Sequence, residues 1–340
     1  MQKRVIVIGG GLAGLSAGCY ARMCGFEVRV LEHAAQAGGM CTSWSRAPYS
    51  IDGCIHWLAG AGEGGAFRPV YEELGISRDV VFTPLTQFQR FEDPVAGWEI
   101  EVGADLAVLR SWLETLAPQD QSAIAQLFQA VERCAELKVP LAPHELASFT
   151  DAMRQLWDAR KLAPTFLRMH GTLASWAEHT FTSPALRSLF SSMMVPQMPA
   201  WLLPMMLHML GSGQLSRPVG GSAMVRDAVV RRLHELGGEL TLQCTVDEIL
   251  VRDSRACGVR LQDGTELDAD AVICTASAHE THLRLLGGRY LDRDTRERLD
   301  HWRTFDPIVM VNVGVATPLR DEPSTVIVRQ AEPLVVGGRP

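Results

Sequence analysis

The sequence predicts an α/β fold in which a parallel βαβ unit is interleaved with a second, mainly helical α+β domain. Three observations predict it. A short apolar strand runs into a glycine-rich turn and then into helically spaced apolar residues. A long helical stretch punctuated by prolines follows. The chain then returns to alternating helix and strand from about residue 217.

Residues 4–8 read as a buried parallel strand, β-branched and ending in glycine. Residues 12–24 place Leu12, Leu15, Cys19 and Met23 on one side of a helix. Residues 27–31 alternate as a second strand. The stretch 34–66, rich in Gly, Ser and Ala, reads as extended loop, and 80–102 as strands. The pattern from about 104 to 210 is helical. Arg217-Pro-Val-Gly-Gly-Ser leads into a helix at 222–236, closed by Gly237 and Gly238. Strands are expected at 239–243, 245–251, 256–261 and 270–274, a helix at 291–302, and strands at 307–315 and 324–329. The expected domains are 1–80 plus 215–285 for dinucleotide binding, and 81–214 plus 286–340 for substrate.

Composition narrows the function. A net charge of −7 and the lack of a basic stripe argue against a nucleic-acid partner. The eight cysteines form no CxxC pair, so neither a zinc site nor a disulfide framework is expected, and the chain reads as reduced and cytoplasmic. The apolar run Val5–Ile8 stops at three glycines, too short for a signal peptide. No stretch of about 20 apolar residues predicts a membrane span.

The chemical signal is Gly9-x-Gly11-x-x-Gly14, set between strand and helix, with Glu32 closing the second strand 18 residues later. This is the Rossmann-type dinucleotide fingerprint. Gly9 permits the tight turn. Gly11 lets backbone approach a pyrophosphate, and Gly14 lets helix pack on strand. The amide groups of Leu12 and Ala13 begin a helix whose positive end faces the phosphates, and Glu32 accepts from ribose hydroxyls. A second glycine pair, Gly38-Gly39, followed by Met40, suits the far half of a longer cofactor and favours FAD over NAD.

The run Val5–Glu32 with Gly38-Gly39-Met40-Cys41-Thr42 resembles the FAD-dependent amine oxidase and phytoene desaturase superfamily. Tyr49-Ser-Ile-Asp52-Gly-Cys-Ile-His56 is most similar to the carotenoid desaturase and retinol saturase branch, with Cys54 where that branch usually has glycine and Ile51 where it has phenylalanine. Pro218-Val-Gly220-Gly221 and Thr245-Val246-Asp-Glu-Ile249 resemble two further family segments. The resemblance implies an FAD/NAD(P)-binding fold, backbone contact of Val246 with the adenine, and His56 beside the flavin as a candidate catalytic proton-transfer group. The other reading of His56 is a packed or hydrogen-bonded histidine. The implied function is hydride transfer between flavin and an apolar polyunsaturated, carotenoid- or retinoid-like substrate, with the electron acceptor open. The alternatives are a flavin amine oxidase and a non-catalytic dinucleotide-binding protein. Members of the family usually run well beyond this length and return to the flavin through a C-terminal glycine-rich segment. None is found here, so the resemblance implies an incomplete site.

Residues 189–210 hold five methionines within 193–206 and prolines at 196, 199 and 204. They read either as the mouth of a lipophilic channel touching a membrane surface or as a core layer of the helical domain.

Overall fold

The computed structural model describes residues 2–136, 163–195, 197–302, 311–317 and 325–328, together with 148, 150, 153, 157 and 160. The chain forms two compact units. The first comprises Met1–His56, Pro69–Phe82 and Pro218–Ala316. The second comprises Trp57–Arg68, Thr83–Arg217 and Thr317–Pro340.

The first unit is built on a parallel four-stranded sheet in the order Glu239–Thr241, Glu27–Leu31, Arg4–Ile8, Ala271–Cys274. Val7 lies in register with Val30 on one side and Ile273 on the other. Val5, Ile6, Val7 and Ile8 are all buried, which explains why this strand reads as a continuous apolar run. Ile6 and Ile8 pack with Val246, Ile249 and Val259 of an antiparallel meander, Val246–Arg252, Arg255–Leu261 and Glu266–Asp268. Strand alternation turns Val5 and Val7 to the opposite face, where the helix Leu12–Met23 packs. That helix also packs on the helix Ser222–Glu235. Gly18 makes the approach possible, because a Cβ there would lie 3.1 Å from both Leu233 Cδ1 and Val30 Cγ2.

The second unit has a core that is mainly helical, joined by Phe88, Phe91, Ile100 and Val102 of its strands. Leu109 and Leu113 of Leu106–Leu116, Ile124 and Leu127 of Gln121–Cys134, Leu186 and Phe190 of Pro184–Met193, and Leu203 and Leu207 of Leu202–Gly211 are buried together. Phe181 and Phe190 stack at 4.9 Å. A sheet in the order Val326–Val328, Gln87–Asp93, Trp98–Gly103 flanks them. The Met-rich stretch divides by helical face. Met193, Met206, Leu207 and Leu210 belong to the core, while Met205 and Met209 line a cleft.

Four expectations change. Residues 34–66 contain a hairpin, Ser43–Arg46 with Tyr49–Asp52, not only loop. Residues 57–68 join the second unit because Leu58 and Ala59 pair antiparallel with Ser216 and Leu215. Residues 286–316 cluster with the first unit, where Leu285 is buried beside Val246 and Arg289 bonds Glu248 at 2.6 Å. Of the strand expected at 307–315, residues 311–315 are irregular and 307–310 lie outside the described residues, as do Pro196 and 337–340.

Asp120 ties two helices of the second unit. It is 4% exposed and accepts from Thr182 N–H and Ser183 N–H, each at 2.8 Å, and from the Thr182 hydroxyl. Burial raises its pKa, but these hydrogen bonds and nearby Arg187 outweigh burial and hold the carboxyl below its usual value. A depressed carboxyl contributes stability above its unfolded pKa and loses it as pH falls through the folded one. Asp120→Ala should therefore cost about 1–3 kcal/mol at pH 7 by leaving those donors unpaired. Urea unfolding of both proteins should show the difference shrinking below about pH 4, the usual aspartate range.

Candidate functional site

The first strand ends where the chain must turn sharply over the sheet. Gly9 turns with φ +100°, and its N–H donates to Leu31 O at 2.8 Å. The helix Leu12–Met23 then starts so close that a Cβ on Gly14 would lie 1.9 Å from Gly9 O. Gly14 is buried. Gly11 is the helix N-cap in extended conformation, and no side chain caps this end, so the first-turn N–H groups of Leu12, Ala13 and Gly14 have no side-chain acceptor there. Leu12 is half-buried and Ala13 exposed.

Glu32 lies over this turn. Its Oε2 accepts from Gly10 N–H at 2.6 Å and its Oε1 from Ala34 N–H at 2.7 Å. Gly10 must be small because a Cβ would meet Glu32 Cβ at 2.9 Å. The second glycine pair packs on the first. Gly38 N–H donates to Gly10 O at 2.8 Å, and Gly11 and Gly38 form a parallel bridge. Gly38 and Gly39 hold φ of +119° and +58°. Met40 is 89% exposed. Val246 opens the meander with its side chain buried among Ile6, Ile8 and Leu31, and its carbonyl accepts from Arg284 Nη2 at 3.1 Å.

His56 stands at the end of the first unit's opening segment, exposed, four residues after Asp52. That segment is anchored. Asp52 Oδ2 accepts from Ser222 N–H at 2.6 Å, and Ile55 N–H donates to Ser222 Oγ at 2.9 Å. Asp52 thus satisfies the first turn of Ser222–Glu235, whose N-cap Gly221 offers no side chain.

Three contributors escaped the sequence reading. Thr275 seals the turn from the neighbouring strand, its hydroxyl donating to Ile8 O at 3.0 Å. The methylene stem of buried Arg226 lies against Gly38, where a Cβ would come within 2.8 Å of Cδ. Ser222 is fully buried beneath the Asp52 loop. None carries a local pattern, because each acts across more than 150 residues of chain. A cavity of about 480 Å³ in this unit opens at the amino ends of the strands beside Arg4, Glu27 and Glu239. Phosphate recognition belongs to the carboxyl ends, where the glycine turn and the helix N-terminus lie.

The family described as flavin containing amine oxidoreductase matches residues 12–323. The chain belongs to this family. Among curated relatives, the neurosporene-forming phytoene desaturase of Rhodobacter capsulatus is 28% identical, covering 88% of this chain and 57% of its own length. The human all-trans-retinol 13,14-reductase is 23% identical, covering 84% and 49%. A solved putrescine oxidase variant superposes with a TM-score of 0.58 at 16% identity, covering 88% of this chain and 63% of that one, which shows the shared fold. The chain spans between about half and two thirds of the length of the first curated relatives it matches.

As a member of the flavin containing amine oxidoreductases, the protein uses FAD as its cofactor. One feature of the turn fits that group. At Gly11 nothing in the chain demands a glycine: φ is −68°, and a Cβ would have its nearest neighbour at 3.8 Å. The open space above Gly11, facing an uncapped helix end, is the kind of cradle a pyrophosphate fills.

Gly11 and Gly14 should therefore separate binding from folding. Gly11→Ala in flavin-free protein should be neutral or stabilising by about 0.4–1 kcal/mol, from reduced unfolded-chain entropy. Its flavin affinity should fall at least roughly tenfold, about 1.4 kcal/mol. Gly14→Ala should lower the unfolding midpoint of flavin-free protein. Thermal unfolding and flavin titration of both variants check this, and equal loss of stability would remove the distinction.

Proposed function

We propose that this chain belongs to an FAD-dependent oxidoreductase that moves hydride between flavin and an apolar polyunsaturated substrate of carotenoid or retinoid type. In this reading Gly9, Gly11, Leu12, Ala13 and Gly14 hold the pyrophosphate, and Glu32 the ribose. Gly38, Gly39 and Met40 follow the cofactor toward its flavin half, and the Val246 backbone meets the adenine. The two carboxylate oxygens of Glu32 already order Gly10 and Ala34. Each oxygen keeps a second lone pair for a ribose hydroxyl. When bound, the isoalloxazine supplies the two-electron chemistry, and the protein's task is orientation and exclusion of water. His56 is the proposed proton-transfer group.

The observation that carries the substrate class is a cleft of about 400 Å³ within the second unit, lined by Met205, Met209, Cys134, Gly60 and Ala66. His208 also lines it, and burial lowers its pKa, so the imidazole is neutral at physiological pH. With Ser212 and Gln214 as polar points among Gly, Ala, Cys and Met, the walls carry no Asp, Glu, Lys or Arg and suit a mostly apolar chain. The relatives described above are a phytoene desaturase and a retinol reductase, which supports the same class.

Anaerobic spectroscopy tests the reading. A polyene that bleaches the oxidised flavin absorbance would make the protein a desaturase. Recolouring of the reduced protein by a retinoid would make it a saturase. Bleaching by putrescine but by no polyene would point instead to amine oxidation, and no response to either would favour a non-catalytic binder.

A membrane-surface contact is part of this proposal. Among the described residues no helix is long and apolar enough to cross a membrane. Leu167 is 75% exposed, next to the exposed Phe166. Sedimentation with liposomes should carry the protein into the pellet, and Leu167→Asp should reduce the bound fraction several-fold. A wild-type protein that stays in the supernatant excludes the membrane contact and leaves the cleft untouched.

A further inference from the structure

We propose that Cys41 and Cys54 form an oxidisable dithiol site, in which a hydroperoxide links the two sulfurs as a disulfide across the hairpin beside the glycine pair. The register carries the argument. Ser43 lies opposite Asp52, and Trp44 opposite Ile51. The same register continued two steps places Thr42 opposite Gly53 and Cys41 opposite Cys54. Gly53 N–H donates to Thr42 O at 3.2 Å and closes the Ser43–Asp52 pairing, while Thr42 N–H turns back to Met40 O at 2.9 Å, so the two loops leave the hairpin side by side. Cys41 and Cys54 stand one step past that single bond, on the two chains that leave the hairpin. Disulfides span about 4.4–6.8 Å between Cα atoms, a range that residues facing each other beside an antiparallel hairpin can meet.

The side chains agree with the register. Each thiol lies close enough to bear on the other's titration, and neither is bonded to another cysteine. Both loops are pinned to one residue. Cys41 Sγ lies 3.5 Å from Ser222 O, Ile55 N–H bonds Ser222 Oγ, and Asp52 accepts from Ser222 N–H. Fully buried Ser222 therefore holds the partners in place from below.

The chemistry balances with a hydroperoxide as the oxidant. Cys54 is exposed and meets it first; Cys41 is buried. The Cys54 sulfur attacks the peroxide, the O–O bond breaks, and a sulfenic acid and water form. The Cys41 sulfur then displaces hydroxide from the Cys54 sulfur, giving the disulfide and a second water. Two thiols and one hydrogen peroxide become one disulfide and two waters, with two electrons passing from sulfur to oxygen. Burial, with Cys54 and Asp52 adding to it, pushes the Cys41 thiol up to about 11. Burial, with Asp52 adding to it, also raises the Cys54 thiol, so both sulfurs attack slowly. A thiol of high pKa also leaves slowly, so the bridge should form slowly and resist reduction once made. It would fasten Gly38–Met40 to the loop that carries His56.

The test uses the whole chain, fully reduced, freed of reductant, and exposed to hydrogen peroxide. Free thiols are then alkylated before tryptic digestion without reduction. Cleavage after Arg46 separates the two cysteines, so only a disulfide joins the peptides that contain them. The expected result is that joined pair, lost on adding dithiothreitol, with a rise in the unfolding midpoint of about 5 °C. Cys54→Ser changes an exposed residue and should fold, and should show neither the link nor the rise. Recovery of Cys54 as sulfinic acid with Cys41 unlinked would overturn the proposal. So would linkage of either residue to another cysteine, or a rise in midpoint that persists in Cys54→Ser.

Discussion

The approach of the helix Leu12–Met23 to the end of the first strand is the constraint on which the rest of the first unit depends. Gly14 sits where a Cβ would be 1.9 Å from Gly9 O, and Gly9 itself turns at positive φ. Only this close approach brings the helix N-terminus level with the carboxyl ends of the strands. The positive end of the helix and its uncapped amide groups then face one point above the sheet. The surrounding contacts follow. Glu32 bonds Gly10, Gly38 docks on Gly10 and Gly11, and Thr275 closes the turn from the adjacent strand.

A second anchor acts further along the chain. Ser222 begins a helix that no side chain of its own caps, and Asp52, from 170 residues earlier, takes that role. This one exchange joins the loop before His56 to the helix that packs on Leu12–Met23. The same residue supports Cys41, so the glycine pair and the Asp52 loop share a floor. A buried polar residue with several bonds holds its neighbours in one arrangement, because leaving any of those groups unpaired would be costly.

The second unit obeys a different logic. Its core joins the apolar faces of short helices to the buried face of a small sheet, with Asp120 as a buried polar tie. The Met-rich helix Leu202–Gly211 contributes to core and cleft at once, since successive residues point to different faces. The core reading of that stretch describes one face of it, and the other face lines the cleft.

Much of the first unit was legible in the sequence, because its signals are local. A β-branched run, glycines at fixed spacing and an acidic residue at the end of the next strand each act within about 30 residues. The strand and helix bounds around them lie within a residue or two of expectation. The same holds for the helix from Ser222 and the glycines that end it. What the sequence left open depended on partners far apart in the chain. The hairpin at 43–52 hid in a stretch rich in small polar residues, where turn composition masks strand pairing. Residues 57–68 could be assigned to the second unit only through their pairing with 215–216. Thr275, Arg226 and Ser222 bear on the site through contacts that no spacing encodes. The chain by itself determined where backbone must pass close to a phosphate, because that requirement is written in missing side chains. Tertiary structure alone decided which distant residues steady that turn, because hydrogen-bond partners are chosen by proximity in space.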